Sequence, residues 1–332
     1  MILETHDLSI GYTKKTIASR LNLTLQAGEL VCLLGQNGAG KSTLIRTLAG
    51  MQPPLNGRVL LNGDDVRRLD ARALARRLGV VLTERADVGM LSVHDLVALG
   101  RYPYTDWMSR LQPEDKRAVN RAIESVGASE LAYRPVSELS DGERQKVMIA
   151  RALAQEPALM ILDEPTAFLD LPRRAEIMFL LRDLARESGR AILLSTHDLD
   201  LALRTADRVW LLANGTLTDG APEDLVLSGA FASAFQSEGV SFNISEGAFH
   251  VQRPQRTPIC LSGDGVTRLW MARALERAGF EVVDSAVDRV EIITQTDSAR
   301  FRLHYAGVLT EYESIYALIA ALRDNSGVVQ TS

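Results

Sequence analysis

The chain has 332 residues, 46% hydrophobic and 24% charged, with a net charge of −5, a composition typical of a soluble globular protein long enough for two cores. No apolar run approaches the roughly 18 residues that cross a bilayer, no basic-then-apolar leader is recognisable, and the two cysteines, Cys32 and Cys260, make neither a disulfide framework nor a metal spacing. The expectation is a cytoplasmic protein without membrane spans or a cysteine metal site, and the charge balance gives no sign of a nucleic-acid partner.

Residues 2–12 and then Leu21, Leu23 and Leu25 alternate apolar with polar positions, which predicts strands of an antiparallel β edge. The apolar run Leu30-Val31-Cys32-Leu33-Leu34 predicts a buried strand. Gly35-Gln36-Asn37-Gly38-Ala39-Gly40-Lys41-Ser42-Thr43 follows it, and then a helix-like stretch from Leu44 to Ala49. A short strand over Gly57–Gly63 comes next. Helical periodicity dominates from about Leu91 to Ala154, with helices expected at 93–99, 114–126 and 141–153. The chain then returns to buried strands at Leu159–Leu162 and Ala191–Ser195, separated by a helix over 173–187, and to a strand at Val209–Ala213 closed by Asn214-Gly215. Strands alternating with helices predict an α/β core with parallel strands and an inserted helical subdomain.

The composition shifts near residue 226. Residues 227–257 read as an appendage and linker carrying a hairpin pattern and ending in prolines. From Pro258 the pattern resets to strand 259–261, helix 266–278, strands near 281–283, 290–294 and 301–305, and a helix over 312–322, a small α+β accessory domain spanning about 258–325. Gly263-Asp264-Gly265 lacks the third glycine of a dinucleotide fingerprint and reads as a turn before a helix.

A strand, a glycine-rich loop ending in Lys-Ser-Thr and a helix, in that order, form a triphosphate site. Gly35, Gly38 and Gly40 let the backbone of Asn37 and its neighbours curl so that N–H groups face an anion at a helix N-terminus. Lys41 is expected to neutralise the β/γ-phosphates, Ser42 to ligate Mg²⁺, and Thr43 to bond a phosphate oxygen. A second element is the apolar strand ending in Asp163-Glu164. There Asp163 is placed to hold Mg²⁺ and Glu164 to polarise the attacking water. Leu139-Ser140-Asp141-Gly142-Glu143 opens a helix with the spacing of a capping box between Ser140 and Glu143.

Together these residues resemble the nucleotide-binding subunit of ATP-binding cassette (ABC) transporters over residues 1 to about 226. The resemblance implies a P-loop NTPase core of the RecA-like kind that hydrolyses ATP with Mg²⁺. It also implies a functional homodimer, in which the signature Ser140, Asp141, Gly142 and Glu143 acts on ATP bound by the opposite subunit. Carried across residue by residue, Tyr12 corresponds to the aromatic that stacks on adenine, Asp170 in Ala167–Asp170 to the loop between the two sites, and His197 to the switch histidine at the γ-phosphate. Glu84 stands where the family has a Mg²⁺-ligating glutamine, and Asp141 where the signature has its first glycine.

The segments Leu96–Tyr104, Pro165–Asp170 and Thr196–Arg208 resemble those of the ATPases that serve importers of iron-siderophore, haem and vitamin B12. The resemblance therefore implies transmembrane permease subunits and an extracytoplasmic substrate-binding protein as partners, and a peripheral position on the cytoplasmic face of the inner membrane. Residues Tyr102 to Trp107 fit equally a packed subdomain or the groove that receives a permease helix. The alternative is a soluble ABC-type ATPase of DNA repair or translation. Repair members interpose long coiled coils between the two nucleotide motifs and translation members carry two cassettes; this chain shows one cassette and no sustained heptads.

Overall fold

The computed structural model describes all residues except 14, 84–89, 107, 109, 237–239, 245–246, 252–256, 296–297 and 328–332. The chain divides into two compact units, the first comprising Met1–Ser237 and Ser241–Phe249, the second Glu238–Val240 and His250–Ser332.

The first unit begins with β1 (Leu3–Tyr12), β2 (Lys15–Leu21), β3 (Thr24–Leu25) and β4 (Leu30–Leu34), followed by α1 (Lys41–Leu48), β5 (Asn56–Leu61) and β6 (Asp64–Asp65). After α2 (Ala71–Ala75) and β7 (Leu78–Val81) come three helices, α3 (Val93–Ala98), α4 (Pro113–Ser125) and α5 (Asp141–Leu153). The chain continues through β8 (Leu159–Asp163), α6 (Leu171–Ser188), β9 (Ala191–Ser195), α7 (Leu199–Thr205), β10 (Arg208–Ala213), β11 (Thr216–Gly220), α8 (Pro222–Leu227) and α9 (Ala230–Phe235). A hairpin, β12 (Val240–Asn243) and β13 (Ala248–Val251), follows.

Six strands in the order β11-β10-β4-β9-β8-β7 form the central sheet, parallel except for the β10–β11 hairpin. Strands β4, β8 and β9 are buried at every position, as expected of parallel strands covered on both faces. The amino-terminal strands do not form an edge of this sheet. They make a separate antiparallel sheet, β2-β1-β5-β6 with β3 also on β1, whose Leu3, Leu8 and Ile10 share one apolar core with Leu44 and Ile45 of α1 and with Val31 and Leu33. A second core fills the other side of the central sheet and runs from Leu30 and Cys32 into α3, α4, α5 and α6. The inserted helices are thus continuous with the sheet that holds the phosphate loop.

Residues 227–257, read from sequence as appendage and linker, contribute part of this second core. Phe231 of α9 is fully buried, and its ring meets those of Phe235, Phe242 and Phe249 at centroid distances of 5.0–6.1 Å.

The second unit has β14 (Thr257–Ser262), α10 (Gly265–Ala278), β15 (Phe280–Val283), β16 (Arg289–Gln295), β17 (Ser298–Tyr305), β18 (Val308–Tyr312) and α11 (Ile315–Gly327). Its sheet order is β15-β14-β16-β17-β18, and its own core joins Ile259, Leu261, Met271, Leu275, Phe301 and Leu318. Tyr312, read from sequence as the start of the last helix, ends β18 instead. A turn with Ala306 at φ 49° and Gly307 at φ 80° reverses the chain here, and the exposed strand beyond it has little alternation to betray it.

Candidate nucleotide site

The loop between β4 and α1 is built on glycines that no other residue replaces without strain. Gly38 and Gly40 sit at φ 78° and 107°, in the left-handed region open mainly to glycine. A Cβ on Gly40 would lie 2.3 Å from Cγ2 of Ile17, whereas the space around Gly38 is open. Lys41 opens α1 and turns its ammonium back over the loop, donating to the carbonyls of Gly35 at 2.8 Å and Gln36 at 3.3 Å. Burial pushes its pKa below the usual lysine value, while the Glu164 and Asp163 carboxylates act in the opposite direction. A charge held in a partly desolvated position recovers its lost hydration by pairing with an anion.

Strands β8 and β9 end side by side and carry the acidic half of the site. Ser195, fully buried, donates its hydroxyl to Oδ1 of Asp163 at 2.7 Å and accepts from the backbone N–H of Glu164 at 2.9 Å. The Thr83 hydroxyl donates to the Asp163 carbonyl at 2.7 Å. Glu164 is held at φ 52°, which costs a non-glycine residue about 1–2 kcal/mol, and this turn aims its carboxylate at Nε2 of His197, 2.6 Å away.

Tyr12, Lys41, Ser42, Glu164 and His197 all border one cavity of about 660 Å³, together with the loop from Gln36 to Gly40 and with Thr43. That volume is within the range of small-molecule sites. The far rim includes Ala234, whose carbonyl accepts from the Gln36 amide at 3.0 Å, so the end of α9 is tied to the loop. Tyr12, at the end of β1, exposes most of its ring.

The signature residues lie elsewhere. Ser140 is the N-cap of α5 and forms a reciprocal capping box, Glu143 accepting from the Ser140 N–H at 2.9 Å. The Ser140 hydroxyl and N–H hold the Glu143 carboxyl below the usual glutamate pKa. Asp141 begins the helix, where an acidic side chain complements the dipole, and Gly142 packs against the aliphatic part of Arg173. The Lys146–Glu176 ion pair fixes α5 to α6. None of residues 140–143 lines the cavity. Asp170 caps α6 by accepting from the Arg173 N–H at 3.0 Å, and it follows Phe168, at φ 66° and exposed. Glu84 lies outside the described residues, as does Trp107.

Sequence reasoning assigned no role to Ser195, although it was visible two residues before His197. Nor did it single out Ile17, which limits Gly40, or Ala234. Leu96–Tyr104 proves partly structural: Arg101 is interior, pairing with Asp115 at 2.9 Å and with Glu156 at 2.8 Å, while Tyr104 donates its hydroxyl to the Gln155 carbonyl at 2.8 Å. Tyr102 is exposed.

Comparison with known proteins adds to this geometry. Residues 18–167 match the model of the ABC transporter family and residues 255–323 that of the iron ABC transporter C-terminal domain. The chain is 40% identical to an uncharacterized ABC transporter ATP-binding protein of Methanocaldococcus jannaschii, over 85% of this chain and 98% of that one. It is 38% identical to the ferric enterobactin transport ATP-binding protein of Escherichia coli, over 68% and 83%. With the cobalamin import ATP-binding protein of Halobacterium salinarum it shares 35% identity over 90% and 77%. Among solved structures it resembles a cbiO1 subunit from Clostridium perfringens, part of an ABC transporter complex, with TM-score 0.62 and 29% identity over 70% of this chain and 93% of that one. It also resembles a dimeric ATP-binding cassette bound to ADP and Pi, with TM-score 0.57 and 25% identity over 67% and 99%.

Proposed function

The chain belongs to the ATP-binding proteins of ABC transporters, and from that premise we propose that it is the ATP-hydrolysing subunit of an importer for an iron complex or a cobalamin-type cargo. The reading of cargo is carried by the match of residues 255–323 to an iron ABC transporter C-terminal domain, and the relatives that import ferric enterobactin and cobalamin support it. On this reading the chain works on separate permease subunits, with an extracytoplasmic binding protein delivering cargo. Among the described residues no helix is long and apolar enough to cross a membrane, which suits a subunit docked on the cytoplasmic face.

Within one subunit, the phosphate loop and Lys41 would bind the triphosphate and Tyr12 would stack on adenine. The oxygen donors present fit Mg²⁺, a hard cation: the Ser42 hydroxyl borders the cavity, and the Asp163 carboxylate, held by Ser195, is 8% exposed. The ion would neutralise phosphate charge. Glu164 then accepts the proton of the attacking water, while His197 orients the Glu164 carboxylate and contacts the γ-phosphate. Because residues 140–143 lie outside the cavity, the missing wall is proposed to come from a second copy, Ser140 of each reaching the nucleotide of the other.

The test compares parent, Glu164→Gln and Lys41→Ala with the permease present. Glu164→Gln keeps MgATP binding and dimerises but loses hydrolysis, since an amide cannot accept the proton. Lys41→Ala loses binding itself. Cargo is assigned by uptake of radiolabelled ferric siderophore, haem and cobalamin into vesicles bearing the complete transporter, and ATP hydrolysis stimulated by none of these would refute the importer reading.

A further inference from the structure

We propose that Gln36 is a positioning residue through which the phenylalanine cluster of α9 and the β12–β13 hairpin sets the affinity of the phosphate loop for ATP; this rests on the reading of the cavity as the nucleotide site. Gln36 belongs to the loop by its backbone and to α9 by its side chain. Its carbonyl accepts from the Ala39 N–H at 3.1 Å, closing a turn of the loop, and from the Lys41 ammonium at 3.3 Å. Its amide donates to the Ala234 carbonyl at 3.0 Å. One residue thus joins the turn, the lysine and the end of α9.

The bond serves α9 as well. Ala234 lies in the last turn of a helix of six residues, and Gln236 beyond it is extended. Its carbonyl is therefore among the last four, which a helix does not satisfy from within. Ala234 is 8% exposed, and a buried carbonyl without a donor is costly. The Gln36 amide supplies that donor. A helix so short does not hold itself in water, and α9 is held instead by its rings: Phe249 of the hairpin meets Phe231, Phe235 and Phe242 at centroid distances of 6.1, 6.1 and 5.0 Å.

None of the four phenylalanines borders the cavity, whereas Gln36 and Ala234 both do. Packing in the cluster reaches the nucleotide through the bond between these two. With α9 anchored, the Gln36 side chain is held and the turn of the loop is set before ATP arrives, so less ordering remains to oppose binding. The coupling is reciprocal: ATP that fixes the loop stabilises α9 in turn. A direct contact between the Gln36 amide and a phosphate would need no help from the cluster, and this difference is what the test reads.

Full-length parent, Gln36→Met, Phe249→Leu and the double variant are titrated by calorimetry with Mg²⁺ and a non-hydrolysable ATP analogue. Gln36→Met keeps the side-chain length but removes the donor, and the expected rise in Kd is about three- to tenfold. Phe249→Leu raises Kd at least about twofold and adds nothing further in the Gln36→Met background. Phe242→Leu repeats the measurement from another ring of the cluster. At saturating analogue, amide hydrogen exchange over residues 230–235 slows in the parent but not in Gln36→Met. Losses that add in the double variant overturn the proposal and make Gln36 a direct contact to the nucleotide. An unchanged Kd in either single variant overturns it whatever the thermal midpoint, as does equal slowing of exchange in the parent and Gln36→Met. A parent that binds no analogue overturns the nucleotide reading and this proposal together, whereas a parent that binds it with additive losses overturns this proposal alone.

Discussion

Ser195 stands between Asp163 and Glu164, its hydroxyl donating to the carboxylate of the first at 2.7 Å and accepting from the backbone N–H of the second at 2.9 Å. One buried side chain therefore sets both the proposed metal-holding carboxylate and the backbone turn that presents the proposed base. In Ser195→Ala an N–H and a carboxylate oxygen lose their partner, at a cost of about 1–3 kcal/mol. We expect a lower midpoint in thermal unfolding together with a fall in kcat larger than any change in ATP affinity. Unaltered kcat in a destabilised variant would limit Ser195 to a structural role.

Arg101 and Asp115 form an ion pair with both side chains nearly buried, 5% and 6% exposed. The guanidinium is also bonded to the Ala154 carbonyl at 2.8 Å and lies 3.8 Å from the centre of the Tyr104 ring. Arg101→Met leaves the buried Asp115 carboxylate with the Gln112 N–H at 2.9 Å but no counter-charge, a loss of about 3–5 kcal/mol. Adding Asp115→Leu removes the buried charge but also that helix cap, so it is expected to recover part of the loss. Urea denaturation of the two variants measures both, and a single-variant loss under about 1 kcal/mol would show that water reaches the pair.

Burial lowers the Lys41 pKa from the ordinary lysine value, so as pH rises the nucleotide-free protein loses this proton earlier than an exposed lysine does. The neutral amine cannot offset phosphate charge, and ATP affinity should fall progressively on the alkaline side. Lys41→Arg, whose guanidinium stays charged, should show a flat profile over the same range, whatever its absolute affinity. Fluorescence titration of a nucleotide analogue against pH checks this, and parallel curves for the two proteins would contradict it.

Phe231 is fully buried against the second core. A chain ending after Val251 keeps the cluster of four phenylalanines and is expected to fold and bind ATP, with the second unit absent. A chain ending after Val226 loses Phe231, and with it about 3–5 kcal/mol by the measure of a Phe→Ala change. Comparing the full chain and the two truncations by circular dichroism melting separates the contribution of α9 and the hairpin from that of β14–α11, and identical melts for the two truncations would show the aromatic cluster to be dispensable.

The phosphate loop, the Asp163-Glu164 turn, the capping box at Ser140 and the helical insertion were legible because each is written in contiguous residues whose backbone demands are local. The strands β2 and β18 were not: β2 pairs with β1 through two register shifts, and four of the five β18 residues are exposed, so neither shows a clean alternation. Pairings across the fold, such as Arg101 with Asp115 or the Gln36 amide with the Ala234 carbonyl, leave no mark in a single sequence. For the same reason Leu96–Tyr104 could be matched to a transporter branch without revealing that its arginine points inward.

The left-handed backbone at Glu164 sets stability against activity at that position. Glycine would relax the turn and asparagine would tolerate it, yet neither side chain supplies the long carboxylate that meets His197. A library selected for thermal resistance alone should therefore enrich Glu164→Gly, and one selected for hydrolysis should discard it. On the proposed reading of Glu164 as the base, the strain is retained because that carboxylate is needed there.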